Sequence, residues 1–358
     1  MRILSFTVRD FRNISRAQLQ PAAQLNILIG DNGQGKTSLL EGIWLFTGCR
    51  SFRGAEYSEL VREGADEALL EIFFESNGRE QSAQLNIKAR RRSLGLNGFA
   101  QETPRRMLGV FPAVAFTPGS LALVQAGPGE RRRFLDVALS MRMPAYAVRL
   151  AKYLKTLAQR NALLRGNAQG LEAQLDVWDT SLAREAAQIA AARQRHLELL
   201  IPRAREFYRG ISGGRETLDA IYKPAGIKEN CSEETYLMAL RNSRARDLRM
   251  QATHAGPHRD DLLLTLDDRA LRDFGSQGQQ RTAALALKLA EAEVLRETIG
   301  EQPIALLDDV MSELDPARQR ALLQYLEGWQ VFLTCCAPLG MESGAKVFRI
   351  TKGMAEAI

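Results

Sequence analysis

With 358 residues, 45% hydrophobic and 25% charged, the chain can bury one large core and at least one smaller one, and it is too apolar for a disordered tail. Its formal net charge of +6, with arginine outnumbering lysine, suits a polyanionic partner, either nucleic acid or an anionic surface. The opening Met1-Arg2-Ile3-Leu4-Ser5-Phe6-Thr7-Val8 alternates like a strand rather than a leader peptide, and no apolar stretch is long enough to cross a bilayer, so a cytoplasmic protein is expected.

A strand over residues 2–8 leads into Asp10-Phe11-Arg12-Asn13, and a second over 24–29 feeds Gly30-Asp31-Asn32-Gly33-Gln34-Gly35-Lys36-Thr37, with a helix opening at Ser38. The octet fits G-x-x-x-x-G-K-[ST] in the strand-loop-helix setting that a phosphate-binding loop requires. Its glycines let backbone N–H groups converge on an anion, while Lys36 would reach the outer phosphates and the Thr37 hydroxyl would ligate Mg2+. Beyond the helix, Arg50 and Arg53 either touch a phosphate or are solvated.

Alternating runs over 67–74 and 82–89 flank Ser76-Asn77-Gly78, which predicts a hairpin and therefore a mixed sheet. Lys88, Arg90, Arg91 and Arg92, then Arg105 and Arg106, then Arg131, Arg132 and Arg133 form basic clusters. They are either DNA-backbone contacts or ordinary solvated faces.

From about 140 to 210, Tyr146, Leu150, Tyr153 or Leu154, Leu157 and Leu164 recur at helical spacing before Asn167-Ala168-Gln169-Gly170 breaks the pattern. Leu171, Leu175, Trp178, Leu182, Ile189 and Leu200 resume it as far as Pro202, predicting an antiparallel helical arm of ~30–50 Å. Arg149, Lys152, Lys155, Arg160, Arg165, Arg184, Arg193 and Arg195 are expected to decorate the arm, with His196 packed beside its seam.

Strands over 217–222 and 262–266 and a helix over 233–248 follow. Between them, the loop around His254, Gly256, Pro257, His258 and Arg259 reads as a metal site or as a sharp turn aiming His258 and Arg259 at phosphates. Cys49, Cys231, Cys335 and Cys336 lack metal spacing and are expected to be reduced thiols in or near the core.

The last hundred residues supply the rest of a nucleotide site. Ser276-Gln277-Gly278-Gln279 opens a helix over 282–297, offering a hydroxyl and a positive helix end to a γ-phosphate. Ile304-Ala305-Leu306-Leu307 is an apolar strand ending at Asp308 and Asp309, the first suited to magnesium and the second to orienting or deprotonating a water. Ser312-Glu313-Leu314-Asp315 opens another helix, and Thr334 ends a strand where its hydroxyl would face the γ-phosphate or nucleophile.

Together these features resemble the ATP-binding-cassette ATPases, and closely resemble their RecF branch. The match includes Asn13, the extended phosphate loop through Glu41, Arg131-Arg132-Arg133-Phe134-Leu135-Asp136, Arg160-Asn161, Tyr208, Gly256 to Asp261, and Leu307-Asp308-Asp309-Val310. The resemblance implies an α/β mixed-sheet P-loop ATPase head with an inserted helical arm: N-terminal lobe 1–125, arm 126–245, and C-terminal head 246–358. It implies two heads sandwiching two ATP molecules, with Gly30 to Ser38 on one chain and Ser276, Gly278, Gln279 and Asp315 completing the site. It further implies a weak, DNA-stimulated ATPase, DNA contacts at Arg105, Arg106, Arg131, Arg132 and Arg133, action with RecR, RecO and RecA at single-strand gaps and forks, and support of the SOS response.

Many cassette ATPases have Glu at the position of Asp309 and His at that of Thr334, departures that point to slow hydrolysis. The stretch Phe116 to Leu121 lacks the usual glutamine, and Cys335-Cys336 has no counterpart in the pattern. A transporter engine, an SMC-type chromosome head and a metabolic P-loop kinase are the competing readings. The basic clusters and arm disfavour the first, the short insertion the second, and Ser276 to Gln279 the third.

Overall fold

Strands Ala113–Phe116, Ile304–Leu307 and Val331–Cys335 are buried along their whole length, and all their residues but Thr334 are apolar, because the sheet is covered on both faces. The structure is a computed structural model and describes residues 1–89, 91–166, 170–214, 216–227, 230–337 and 344–358. Arg90 and the Asn167-Ala168-Gln169 break lie outside the described residues. The chain divides into two units, residues 1–120 with 288–358, and residues 121–287.

In the first unit, one sheet runs in the order 354–357, 346–351, 25–29, 331–335, 304–307 and 113–116. Its neighbours are parallel except for the 346–351/354–357 pair, so the phosphate-loop strand Leu25–Ile29 lies between two parallel partners. The second sheet is antiparallel and contains the expected hairpin, Glu67–Ser76 with Arg79–Lys88, turning at Asn77 and Gly78. The fold is therefore a mixed-sheet α/β ATPase head carrying a helical insertion.

The second unit holds a sheet in the order 269–270, 261–266 and 218–223, together with helices Pro144–Arg165, Leu171–Ser212 and Glu233–Met250. Residues 246–287, drawn with the C-terminal head from sequence, pack here, because Asp261–Leu266 pairs with Leu218–Lys223. Tyr146, Tyr153, Leu157, Leu182 and Ile189 form the arm's seam, joined by Tyr236 and Leu240. Tyr153 rather than Leu154 belongs to the seam, since Leu154 is 48% exposed.

Pro202 does not end the long helix, which continues to Ser212 and closes at left-handed Gly213. The carbonyl that loses its donor belongs to exposed Glu198, where water reaches it, and buried Ala204 and Tyr208 anchor the following turns. At ~1.5 Å per residue the helix is roughly 60 Å long, more than the sequence pattern suggested.

Two of the arm's presumed surface arginines are interior. Arg160 is fully buried, with Nε 2.6 Å from Asp179 Oδ1 and Nη1 2.8 Å from Asp247 Oδ2 and 2.9 Å from Thr253 Oγ1. Arg193 Nη2 lies 2.8 Å from Asp136 Oδ1, and its Nη1 donates to the Pro257 carbonyl and to Asp260 Oδ2. Replacing Arg160 by leucine takes the buried cation from two carboxylates, leaving Asp179 to Arg244 and Asp247 to Ser243 and His254, so Arg160→Leu is expected to destabilise the fold by ~3 kcal/mol, the low end for a broken buried pair. Urea unfolding followed by circular dichroism measures this, and an unchanged midpoint would show that the network contributes nothing net.

Candidate functional site

The phosphate loop is shaped by close backbone approaches. At Gly30 a Cβ would collide with the Ile350 carbonyl, and Gly35 caps the following helix, Lys36–Leu45, at φ 111°, a conformation that L side chains rarely adopt. Gln34 ties the loop to the terminal hairpin, accepting from Lys352 N through its side chain and from Gly353 N through its carbonyl, at 2.6 and 3.0 Å. Asn13 holds the other side, donating to the Gly33 carbonyl at 2.7 Å and accepting from Ser38 Oγ at 2.9 Å. Beneath the loop, fully buried Glu41 receives both arms of Arg12 at 3.0 Å and the Ser51 hydroxyl.

Lys36 Nζ sits at the centre of this cradle, donating to the carbonyls of Gly30 and Asp31 at 2.6 and 2.9 Å. Thr37 Oγ1 donates to Asp308 Oδ1 at 2.7 Å, and Asp308 hangs from the sheet through its N–H to the Phe116 carbonyl. Burial raises the Asp308 pKa, opposed by the hydroxyl hydrogen bonds from Thr37 and Thr334. Lys36 and Thr37 open onto a cavity of about 880 Å³ that Asp309, Thr334 and Arg53 also line. Such a volume accommodates a nucleotide.

Several sequence expectations are corrected in detail. Thr334 lines the same cavity, and its hydroxyl also braces the two acids, donating to Asp308 Oδ1 at 3.1 Å and accepting from Asp309 N at 2.8 Å. Asp309 itself holds φ 52°, uncommon for a residue with a side chain. Asp315 caps helix Pro316–Tyr325, accepting from the N–H groups of Ala317 and Arg318 at 3.0 Å and pairing with the Arg318 side chain. Hydrogen bonds from the Arg318 backbone and side chain hold its carboxyl below the usual range.

Cys336 is not a core thiol. It is exposed, 3.1 Å from Asn32 Oδ1 and 3.7 Å from Lys36 Nζ, a placement no spacing in the sequence announces.

Ser276 and Gln279 form a reciprocal cap in the second unit, at the start of helix Gln277–Ile299. Gln279 N donates to Ser276 Oγ at 3.2 Å, and Ser276 N donates to Gln279 Oε1 at 2.6 Å. Because the serine oxygen accepts from the helix, its own proton is left to donate outward.

The basic clusters divide into supports and surface charges. Arg131, expected on DNA, is 6% exposed and grips Asp261 with Nε and Nη2 at 2.7 and 3.1 Å, so it is an internal strut. Arg132 is half-buried and donates to the Asp260 carbonyl, whereas Arg105, Arg106 and Arg133 are exposed. Arg92 donates to the carbonyls of Cys49 and Gly48, and Lys88 pairs with Glu67 at 3.2 Å.

His258 does not face phosphates. Its ring lies 2.6 Å from the Tyr153 hydroxyl and 3.0 Å from the Thr253 carbonyl, and burial lowers its pKa to about 4. His196 is buried as expected, with its pKa lowered to about 3 by burial and by Arg142. No described helix is long and apolar enough to cross a membrane.

Comparison with known proteins gives one consistent answer. The RecF/RecN/SMC N terminal domain matches residues 2–357. The DNA replication and repair protein RecF of Agathobacter rectalis is 36% identical, with 100% of this chain and 99% of that protein covered. RecF of Trichlorobacter lovleyi is 37% identical, covering 97% and 95%. Among solved structures, the recombination mediator protein RecF with ATP in the RecFOR pathway superposes with a TM-score of 0.91 at 34% identity, covering 99% of this chain and 97% of that one. An Smc head bound to the winged-helix domain of ScpA shares the fold at a TM-score of 0.58 and 14% identity. A phosphate loop bonded through Thr37 to Asp308, on a sheet and insertion matched end to end by these relatives, means that the chain belongs to the RecF family.

Proposed function

We propose that the chain is a cytoplasmic, ATP-dependent DNA-binding recombination mediator that acts at single-strand gaps and stalled forks. In this reading it helps load RecA with RecO and RecR and supports SOS induction. The observation that carries it is the Lys36, Thr37 and Asp308 constellation at the mouth of a nucleotide-sized cavity. The name shared by relatives covering the whole chain supports the repair role.

In this reading, Gly30 to Thr37 wrap the phosphates, Lys36 neutralises the outer ones, and Asp309 orients the attacking water. Thr37 Oγ1, which lines the cavity, and Asp308 Oδ1, 2.7 Å behind it, are hard oxygens that would fit Mg2+ completed by water and phosphate oxygens. Bound there, the ion would supply charge neutralisation at the phosphates. Thr334 holds the two acids in register, and a short carboxylate at 309 makes the ATPase weak, with DNA stimulating it by favouring the closed dimer. Ser276 and Gly278 meet the nucleotide of a second copy, while Gln279 shapes their turn.

DNA binding is expected to fall steeply with salt and to show little sequence preference, as backbone contacts require. Removing exposed Arg105 and Arg106 together should reduce the slope of log affinity against log salt by about 2 for duplex. Arg131→Ala should instead reduce thermal stability. Titrations on duplex, gapped and single-stranded DNA test the reading, and a salt-independent affinity for any of them would contradict it.

A further inference from the structure

The signature turn is tied to the arm through Glu216 and Tyr208, which none of the nucleotide-binding roles above uses. Gln279 Nε2 donates to Glu216 Oε1 at 2.5 Å, and the other carboxylate oxygen, Oε2, accepts from the Tyr208 hydroxyl at 2.7 Å. Tyr208 is 1% exposed and lies in the last turns of helix Leu171–Ser212, while Glu216 sits in the short link from that helix to strand Leu218–Lys223. All three belong to the second unit.

The Gln279 carboxamide has two ends with opposite demands. Its oxygen accepts from Ser276 N, and its nitrogen meets a carboxylate. A flipped amide would set oxygen against carboxylate and NH2 against N–H, losing both hydrogen bonds. Glu216 thus selects one amide orientation, and that orientation closes the reciprocal cap in which Ser276 Oγ accepts from Gln279 N. Charge-assisted hydrogen bonds of this kind are roughly twice as strong as neutral ones.

We propose that Glu216, braced by Tyr208, is a positioning residue for the signature turn: it locks the Gln279 amide and so sets the direction in which Ser276 offers its hydroxyl proton to nucleotide. The proposal rests on the reading that Ser276 meets the ATP of a second copy. It gives the long arm helix a physical connection to the signature, so displacement of the helix end at Tyr208 changes the serine's aim. Arm and signature are then linked reciprocally: whatever orders the turn also orders the helix end.

The test is a double-mutant cycle on the full chain, reading ATP-dependent dimerisation by sedimentation and ATP binding by the monomer separately. Glu216→Ala is expected to weaken ATP-dependent dimerisation about tenfold or more, as loss of a charged hydrogen bond implies, with monomer ATP affinity unchanged. Glu216→Gln should restore most of it, because a carboxamide oxygen still accepts from Gln279. Tyr208→Phe should give a smaller loss in the same direction. In the Gln279→Ala background, Glu216→Ala should add nothing.

Additive losses in the cycle, or parental dimerisation by Glu216→Ala, would overturn the proposal. A fall in thermal stability without coupling to Gln279 would mark Glu216 as structural only, which also overturns it. Ser276→Arg serves as the control. If it dimerises like the parent, the trans-acting signature fails and this proposal with it; if it blocks dimerisation while Glu216→Ala does not weaken it, only the role of Glu216 fails.

Discussion

Lys36→Arg is expected to lower steady-state ATP turnover by ~10²–10³-fold, the scale of losing one preorganised charge donor, while nucleotide binding falls far less. Lys36 is 7% exposed, and its single nitrogen reaches the carbonyls of Gly30 and Asp31 from inside the loop. A guanidinium keeps the charge but spreads it over a planar fork that cannot reproduce the ammonium's single-point contact. The main-chain N–H groups of the loop remain, so binding persists while alignment of the outer phosphate is lost. Phosphate release and nucleotide titration on parent and variant check this, and parental turnover in the variant would remove Lys36 from the mechanism.

Asp309→Asn is expected to stop hydrolysis by a comparable factor while leaving the fold intact and trapping the ATP-bound dimer. The site itself makes this substitution clean. Asp309 sits at φ 52°, where asparagine is as well accommodated as aspartate, and its backbone N–H to Thr334 Oγ1 is untouched by the change. The amide has no negative charge with which to orient or accept a proton from water. Thr334→Ala should slow turnover less and raise the Asp308 carboxyl further, since one of the two hydroxyl hydrogen bonds that oppose burial disappears.

What the sequence revealed follows from how local each feature is. The phosphate loop, the apolar strand before Asp308 and Asp309, and the hairpin at Asn77 depend on neighbours within a few residues, so spacing and turn chemistry expose them. The Ser276 to Gln279 turn is equally local, and its reciprocal cap could have been read from a serine followed three residues later by glutamine. Charge was misread at three arginines whose acids lie far along the chain. Arg131 meets Asp261, Arg160 meets Asp247, and Arg193 meets Asp260. In each case an arginine that looks solvated along its own helix is interior, because its acid arrives from a strand, loop or helix far along the chain.

The bracing bonds of Thr334 and the exposed placement of Cys336 escaped the sequence for a related reason. The central sheet, through the Val331–Cys335 and Leu25–Ile29 pairing, brings residues about 300 positions apart to one rim. Thr334 therefore reaches the two acids, and Cys336 reaches Asn32 of the loop. Alternation would put positions 334 and 336 on one face, but the strand ends at Cys335, so the pattern does not reach Cys336. The second unit extended beyond the expected arm because the 253–261 loop is bound by Arg131, Arg132 and Arg193, ties that no linker composition reveals.

The central claim is that ATP closes two copies of this chain, each completing the other's site with Ser276. Sedimentation velocity on the parent chain and Ser276→Arg, with ATP and magnesium, with ADP, and without nucleotide, tests it most directly. The account predicts a monomer that shifts to a dimer only with ATP in the parent, and a Ser276→Arg protein that binds ATP through Lys36 and Thr37 but stays monomeric. Equal ATP-dependent dimerisation of the two proteins would contradict it.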